Sequence, residues 1–174
     1  MNDIEKAMKG DSEAFSRVIL EYKAKFYKTA ILILKNEDDA YDAIQETLIS
    51  IYHNISKLNN PDSFGGWSKR ILVNKCYDII QKNKKVVDIT QKAERNFDEM
   101  IEDKYECEDE LVGILDKLDK DLQLVAMFYY YDEMPVNHIA KVLNIPTGTV
   151  KSRLSRARKK LYDILKEKGD GING

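Results

Sequence analysis

The stretch that decides the fold is Tyr131–Leu165, which reads YDEMPVNHIAKVLNIPTGTVKSRLSRARKKLYDIL. Its apolar residues recur at helical spacing and predict a short helix over 136–143, followed by a longer helix from Thr147. Asn144 stands between them, and Asn readily adopts the left-handed backbone of a tight turn. The pattern predicts a helix-turn-helix in which Thr147 is the N-cap of the second helix.

The second helix is a candidate DNA-reading element because its outer face is basic. Between Thr147 and Lys168, eight basic residues stand against two acidic ones. In a recognition helix, outward Arg side chains can pair with guanine, while Lys and Ser more often meet phosphate. A solvated helix, or one that binds a membrane or an acidic protein, is the alternative, and the turn upstream favours DNA. The outward polar residues are Lys151, Ser152, Arg153, Ser155, Arg156, Lys159 and Lys160.

The composition predicts an all-α protein. The chain has 174 residues, of which 43% are hydrophobic and 33% charged, with only eight Gly and three Pro; this is enough for one moderate domain or two small ones. The net charge of −2 hides a segregated chain. From Asp88 to Asp121, thirteen acidic residues stand against five basic ones.

The sequence also excludes several functional classes. The two Cys and two His residues do not have the spacing of metal ligands, so we expect no structural zinc site. We expect both thiols to be reduced. No Ser/His/Asp set or phosphate-binding loop is present, so we expect neither an enzyme nor a cofactor. We also expect no signal peptide and no membrane insertion.

An acidic face occupies the helix predicted from Asp39 to Leu58. Asp39, Asp42 and Glu46 fall at i, i+3 and i+7, with Gln45 beside them. Carboxylates near a helix start complement the helix dipole in a solvated protein. The pattern alone favours this solvated face, and the alternative is a docking surface for a basic partner.

A loop and a basic helix follow. Pro61 interrupts the helical pattern, and Ser63 is the expected N-cap of the next helix, 64–85. The helix mixes aromatic and basic residues, a combination that binds single-stranded nucleic acid, although a solvated basic face fits the pattern equally well. Trp67 is expected in the core. The other predicted core residues are Phe64, Ile71, Leu72, Cys76, Ile79 and Ile80, and the basic and polar remainder is Lys69, Arg70, Asn74, Lys75, Lys82, Lys84 and Lys85.

The chain is predicted to form two small helical domains, 1–87 and 106–168. An acidic flexible linker, 88–105, joins them, and a disordered tail, 169–174, ends the chain. On composition alone the linker either keeps the protein soluble or imitates a nucleic-acid strand in a basic channel of a partner.

Three stretches resemble the extracytoplasmic-function (ECF) group of sigma-70-type RNA polymerase sigma factors. DDAYDAIQETLISIY resembles the helix of that family that docks on the polymerase clamp, and SFGGWSKRILVNKCYDIIQK resembles its promoter-melting segment. IAKVLNIPTGTVKSRLSRARKKL resembles its minus-35 reading module. The resemblance spans about residues 1–168. It implies a cytoplasmic, non-enzymatic protein that binds core RNA polymerase and promoter DNA.

The resemblance also implies roles for individual residues. Core polymerase would dock on Asp39, Asp42, Gln45 and Glu46. The minus-10 element would meet Leu58, Asn59, Asn60, Asp62, Ser63, Arg70, Asn74 and Lys75. The minus-35 element would be read by Thr147, Thr149, Lys151, Ser152, Arg153, Ser155, Arg156 and Lys159.

We expect regulation to come from another protein, because no sensing domain is seen beyond the second helix of the helix-turn-helix. The resemblance implies that this partner is an anti-sigma factor. Gly65 and Gly66 depart from the family, which has bulkier residues before the tryptophan. Two other functions remain as alternatives: a stand-alone helix-turn-helix regulator that binds duplex DNA as a dimer, and an adaptor that never touches DNA.

Overall fold

The computed structural model describes residues 1–91 and 109–172. The chain divides into two compact units between Tyr105 and Glu106. All regular elements in the described ranges are helical, which confirms the predicted all-α class and the helix-turn-helix in the second unit. No helix within these ranges has both the length and the apolar character needed to cross a membrane.

Four α-helices and two short 3₁₀ turns build the first unit, and side-chain caps begin the first three helices. Asn2 and Glu5 form a reciprocal capping box, and Asp11 and Asn36 each accept a hydrogen bond from the backbone of the next helix. The elements are α1 (Asp3–Met8), α2 (Ser12–Leu34), α3 (Glu37–Asn54), the 3₁₀ turns Ile55–Lys57 and Pro61–Ser63, and α4 (Phe64–Gln91).

Helix α4 buries Phe64, Leu72 and Cys76 as predicted, but its buried face extends beyond the predicted apolar stripe. Ser68 and Val73 are buried together with Leu72 and Cys76, whereas Trp67 and Ile71 are only half-buried. Because α4 packs against both α2 and α3, its buried arc is wider than an apolar stripe and takes in polar side chains that find internal partners. Ser68, for example, donates to the Gly65 carbonyl at 3.2 Å.

Lys69 is the largest departure from the predicted basic surface of α4. Its side chain is buried, with a residue exposure of 2%. The ammonium group donates to Thr29 Oγ1 at 2.8 Å and to the Lys25 carbonyl at 3.1 Å. It also lies 5.8 Å from the centre of the Phe26 ring. Lys69 therefore joins α4 to α2 and is not available to DNA.

Two predicted boundaries differ from the structure. Helix α4 continues to Gln91, so residues 88–91, predicted as linker, are helical, and the rest of that linker lies outside the described residues. The last helix continues to Ile172, so residues 169–172 are helical where the sequence predicted a disordered tail.

The second unit is a helical bundle that ends in the helix-turn-helix. Asp109 caps its first helix by accepting from the backbone of Leu111 and Val112. Its core includes Leu122, Phe128 and Ile139. The elements are α5 (Glu110–Leu115), α6 (Lys120–Ala126) with a π-helical continuation (Met127–Tyr131), α7 (Val136–Leu143) and α8 (Thr147–Ile172).

The turn between α7 and α8 has the predicted geometry. Asn144 has φ 53° and ψ 49°, the left-handed conformation, and its backbone N–H closes the end of α7. Thr147 is the first helical residue of α8 and not its N-cap, because the first backbone bond runs from Val150 to the carbonyl of Pro146. The reading helix therefore starts at the tight turn, with its first outward side chains exposed.

Candidate nucleic-acid and polymerase interfaces

A cleft of about 640 Å³ lies between the end of α3, the following loop and α4. It brings together six of the eight residues predicted for the minus-10 element, from two separate parts of the chain. These are Leu58, Asn59, Asn60, Ser63, Asn74 and Lys75. Amide, hydroxyl and ammonium groups thus share one concave surface with apolar side chains, an arrangement suited to holding an unstacked base.

The loop side of the cleft is held by its own hydrogen bonds. Asn60 Oδ1 accepts from the backbone N–H of Asp62 at 2.9 Å, and the Ser63 hydroxyl donates to the Asn60 carbonyl at 2.6 Å. Pro61 begins the 3₁₀ turn between them. These bonds hold the loop backbone at the mouth of the cleft.

Two predicted minus-10 residues do not line the cleft. Asp62 and Arg70 are both exposed; Arg70 lies on α4 one turn before Asn74, so it borders the cleft on its outer side. The cleft also contains residues that the sequence reasoning missed as site residues. They are Ser50, Asn54, Lys57, Trp67, Ile71 and Asp78.

Trp67 is the most informative of the missed residues. It was expected in the core, but it is half-buried, with its ring 6.0 Å from the buried Phe64 ring and its free part in the cleft. Trp67, Ile71, Asn74 and Asp78 follow at i, i+4, i+7 and i+11, the spacing of one helix face. That spacing was the signal that could have found this wall.

The predicted docking face runs along α3. Asp42, Gln45 and Glu46 are exposed and Asp39 is half-exposed. Two of the four already contact α4: Asp39 accepts from Asn83 at 3.0 Å, and Glu46 lies 3.5 Å from the Lys75 ammonium. Because Lys75 also lines the cleft, a single ion pair connects the acidic face to it.

Two apolar side chains extend this face. Ile49 and Tyr52 are 59% and 61% exposed, and they follow Asp42 and Gln45 at seven-residue spacing on the same side of α3. Protein interfaces commonly combine an apolar centre with a charged rim. The face therefore has the make-up of a binding surface as well as that of a solvated helix.

The outward side chains of α8 form the predicted reading surface. Thr147, Lys151, Ser152, Ser155 and Lys159 are exposed. Among the described residues, the Ser152 side chain alone of these five donates a hydrogen bond, to the Thr149 carbonyl at 3.1 Å. Arg156 is also exposed, whereas Thr149 and Arg153 are half-buried. Of the eight predicted minus-35 residues, six are thus exposed and two are half-buried.

Basic residues on one side of α8 are paired with carboxylates at the start of α6. Asp121 Oδ2 lies 3.0 Å from Arg156 Nη2 and 3.8 Å from Arg153 Nε. Lys160 pairs with Asp119. These residues recur along α8 at i, i+3 and i+7, so a basic stripe of the reading helix meets the acidic first turn of α6.

The opposite side of α8 meets the π-helical segment. Arg158 Nε donates to the Tyr130 hydroxyl oxygen at 3.2 Å, and this bond is the main reason why the pKa of Arg158 is raised above its ordinary value. Tyr129 packs edge-on against Tyr130, with ring centres 5.1 Å apart. Within the described residues, no group of three or more His, Cys, Asp or Glu side chains could hold a metal ion.

Comparison with known proteins gives the family of both units. The family model for sigma-70 region 2 matches residues 18–86, and the model for sigma-70 region 4 matches residues 108–161. The ECF RNA polymerase sigma factor SigW of Bacillus subtilis is 30% identical over 178 residues, which cover 94% of this chain and 95% of that protein. The RNA polymerase sigma factor SigV of the same species is 30% identical over 141 residues, 81% of this chain and 84% of the relative.

The chain is an ECF sigma factor of the sigma-70 family. This sigma factor is a transcription initiation factor and not an enzyme, and its partners are core RNA polymerase and promoter DNA. The comparisons do not support the alternative of a stand-alone regulator.

Solved structures share the fold of this sigma factor. One is the sigma factor RpoE in complex with the anti-sigma factor NepR from Bartonella quintana, with a TM-score of 0.69 and 23% identity over 87% of this chain and 96% of that one. Another is CnrH in complex with the cytosolic domain of CnrY, with a TM-score of 0.64 and 22% identity over 95% of this chain and 96% of that one.

Proposed function

We propose that this sigma factor divides promoter recognition between three surfaces. The acidic face of α3 docks core polymerase, the cleft beside α4 captures the melted minus-10 element, and the outer face of α8 reads the duplex minus-35 element. The observation that carries the proposal is the cleft, which joins the loop after α3 to the polar side of α4 in one concave site.

The cleft suits a base taken out of the duplex. Flipping a base costs a few kcal/mol, and hydrogen bonds to its edge together with stacking on an aromatic side chain can repay that cost. Asn59, Asn60 and Asn74 supply amides that can bond a base edge, and Trp67 supplies a partly exposed ring. Arg70 lies outside the cleft and is assigned to the phosphate backbone, to which a guanidinium pairs through its charge.

The docking face suits a basic partner with some apolar surface. Asp42, Gln45 and Glu46 give charge and hydrogen-bond acceptors, while Ile49 gives an apolar contact at the centre. Asp39 would mainly hold α3 against α4, since its carboxylate already accepts a hydrogen bond from Asn83 on α4.

The outer face of α8 suits the major groove. Thr147, Lys151, Ser152 and Ser155 have exposed side chains in its first turns, and those turns of a recognition helix reach the base edges. Arg156 follows and is assigned to a guanine. Lys159 is assigned to a phosphate.

An anti-sigma factor is the proposed regulator, and the cytoplasm, where polymerase and promoters are found, is the proposed location. The support for an anti-sigma factor is the similarity to RpoE, which was solved in complex with the anti-sigma factor NepR. Such a protein would block the surfaces that polymerase needs.

Transcription with purified core polymerase tests the proposed function. The template is a promoter library randomised at both elements, and sequencing of the transcripts identifies the promoters used. We expect transcripts only when the sigma factor is present, all from templates that share two spaced elements. Transcripts that do not depend on the protein would refute the proposal, and so would tight duplex binding by the protein as a symmetric dimer without polymerase.

A further inference from the structure

The ion pair between Arg156 and Asp121 points to a residue that acts behind the reading surface. Arg156 projects from α8, and its side chain is 57% exposed. Asp121 belongs to the first turn of α6, and its carboxylate lies 3.0 Å from Nη2 of Arg156. An exposed Arg side chain has many rotamers, and binding in only one of them costs conformational entropy. A carboxylate that already holds the guanidinium lowers that cost before DNA arrives.

The geometry leaves Arg156 free to pair with a base. A guanidinium has five N–H donors in one plane, and the hydrogen bond to Asp121 uses one of them. Pairing with guanine O6 and N7 needs two more. The carboxylate and the base can therefore bind the same guanidinium at once.

Asp121 is itself held in place. The first turn of α6 favours a negative charge because of the helix dipole, and Asp121 also lies 3.8 Å from the half-buried Arg153. The neighbouring carboxylate, Asp119, pairs with Lys160, whereas Asp121 contacts Arg153 and Arg156, which are both predicted reading residues.

We propose that Asp121 is a positioning residue for promoter recognition, which orients the guanidinium of Arg156 toward its base pair in the minus-35 element. The inference rests on the proposed role of Arg156 as a reader of that element. It predicts that Asp121 affects the choice of one base pair, although the carboxylate itself need not touch DNA. A simple electrostatic role would affect all DNA sequences alike.

The test uses the holoenzyme, reconstituted from core polymerase and the full chain, and a promoter library randomised over the minus-35 element. Bound templates are sequenced to give the base preference at each position. Five proteins are compared: the unaltered chain, Arg156→Ala, Asp121→Asn, Asp121→Ala and Asp119→Asn. Asp119→Asn is the matched control, because it removes the same charge from the same turn but leaves the Arg156 pair intact.

We expect Arg156→Ala to abolish the preference at one base pair, where a paired Arg discriminates by roughly 5- to 150-fold. Asp121→Asn should weaken the preference at that same base pair by about three- to ten-fold, and Asp119→Asn should leave the base preferences unchanged. Asp121→Ala serves as a second variant, since Asn can still accept a hydrogen bond from the guanidinium.

Three outcomes would overturn the inference. If Asp121→Asn and Asp121→Ala raise binding to all templates by one factor, the carboxylate only competes with phosphate. If Asp119→Asn has the same effect as the Asp121 variants, the effect is one of net charge. If Arg156→Ala changes no base preference, the reading role proposed for Arg156 fails as well, and this result separates the failure of the proposed function from that of the inference.

Discussion

The ammonium group of Lys69 donates to the hydroxyl of Thr29 at 2.8 Å inside the contact between α4 and α2. The Thr29 hydroxyl in turn donates to the Lys25 carbonyl, which also accepts from Lys69. A charge that the sequence suggests for the DNA-binding surface is therefore part of the core of the first unit.

Thr29→Val tests this contact. The change removes an acceptor of a buried charge, and hydrogen bonds to charged groups contribute about 1.5–3 kcal/mol. We expect the free energy of unfolding of the first unit to fall by that amount. Lys69→Met removes the charge and keeps the length of the side chain, so its cost should be smaller. The fluorescence of Trp67, the single tryptophan, during urea unfolding measures both; a larger loss for Lys69→Met would contradict the assignment.

Cys76 should resist thiol reagents in the folded protein. Its side chain is buried in the first unit, and burial raises the pKa of its thiol to about 12. Because the thiolate is the reactive form, the peptide that carries Cys76 should be labelled only after unfolding. Mass spectrometry of that peptide after alkylation at pH 8, with and without urea, measures this.

The same pKa shift predicts a dependence of stability on pH. The folded state holds the Cys76 proton more tightly than the unfolded state, so this contribution to stability is complete below about pH 9 and is lost between pH 9 and about 12. Cys76→Ala should lack this part of the alkaline decline. An identical decline in both proteins would refute the prediction.

Asp42→Lys should weaken binding to core polymerase by at least about ten-fold, because it puts a like charge against the basic partner proposed for the docking face. Asp42 is exposed, so stability should hardly change. Titration of a fluorescently labelled chain with core polymerase measures the affinity. Glu21→Lys, the same change at an exposed position on α2, is the control; an equal loss there would mean that only net charge matters.

Trp67→Ala should impair promoter opening and leave binding to core polymerase unchanged. Stacking of a base on an aromatic ring is worth about 1–3 kcal/mol, so opening should fall by roughly 5- to 150-fold. Trp67→Phe should keep most of the opening activity. Permanganate reactivity of minus-10 thymines measures the open complex. Normal opening by Trp67→Ala would remove Trp67 from the proposed site.

Lys159→Ala should weaken binding to every promoter by a similar factor, because Lys159 is assigned to phosphate. Affinity falls as salt rises, so the slope of log affinity against log salt concentration is negative. Each lost phosphate contact should make that slope less steep by about 0.9. Binding of the holoenzyme to several promoters at a series of salt concentrations tests this. A loss confined to one promoter sequence would mean that Lys159 reads a base.

The local sequence determined most of the secondary structure and the helix-turn-helix. Periodic apolar residues locate the helices, and Asn144 supplies the left-handed turn at the predicted position. Capping by Asn36 starts α3 at Glu37, two residues before the predicted start. These features depend on residues close in sequence, so a pattern of neighbours is enough to predict them.

Only the tertiary structure decided which side chains work together. The apolar stripe through Trp67 and Ile71 suggested the core, yet α4 also buries Ser68 and Lys69, because α2 and α3 enclose a wider arc of the helix. Ser68 donates to the Gly65 carbonyl of its own helix, and Lys69 donates to Thr29 on α2. Trp67 is only half-buried and lines the cleft beside Asn74.

The sequence of the reading helix α8 likewise does not predict the partners of its side chains. Its sequence marks Arg153 and Arg156 as outward and basic, but gives no sign that both meet Asp121. That carboxylate is 32 and 35 residues away in sequence, on a helix whose position depends on the packing of the second unit. Charge is a local property of the chain, whereas the partner of each charge is set by the fold.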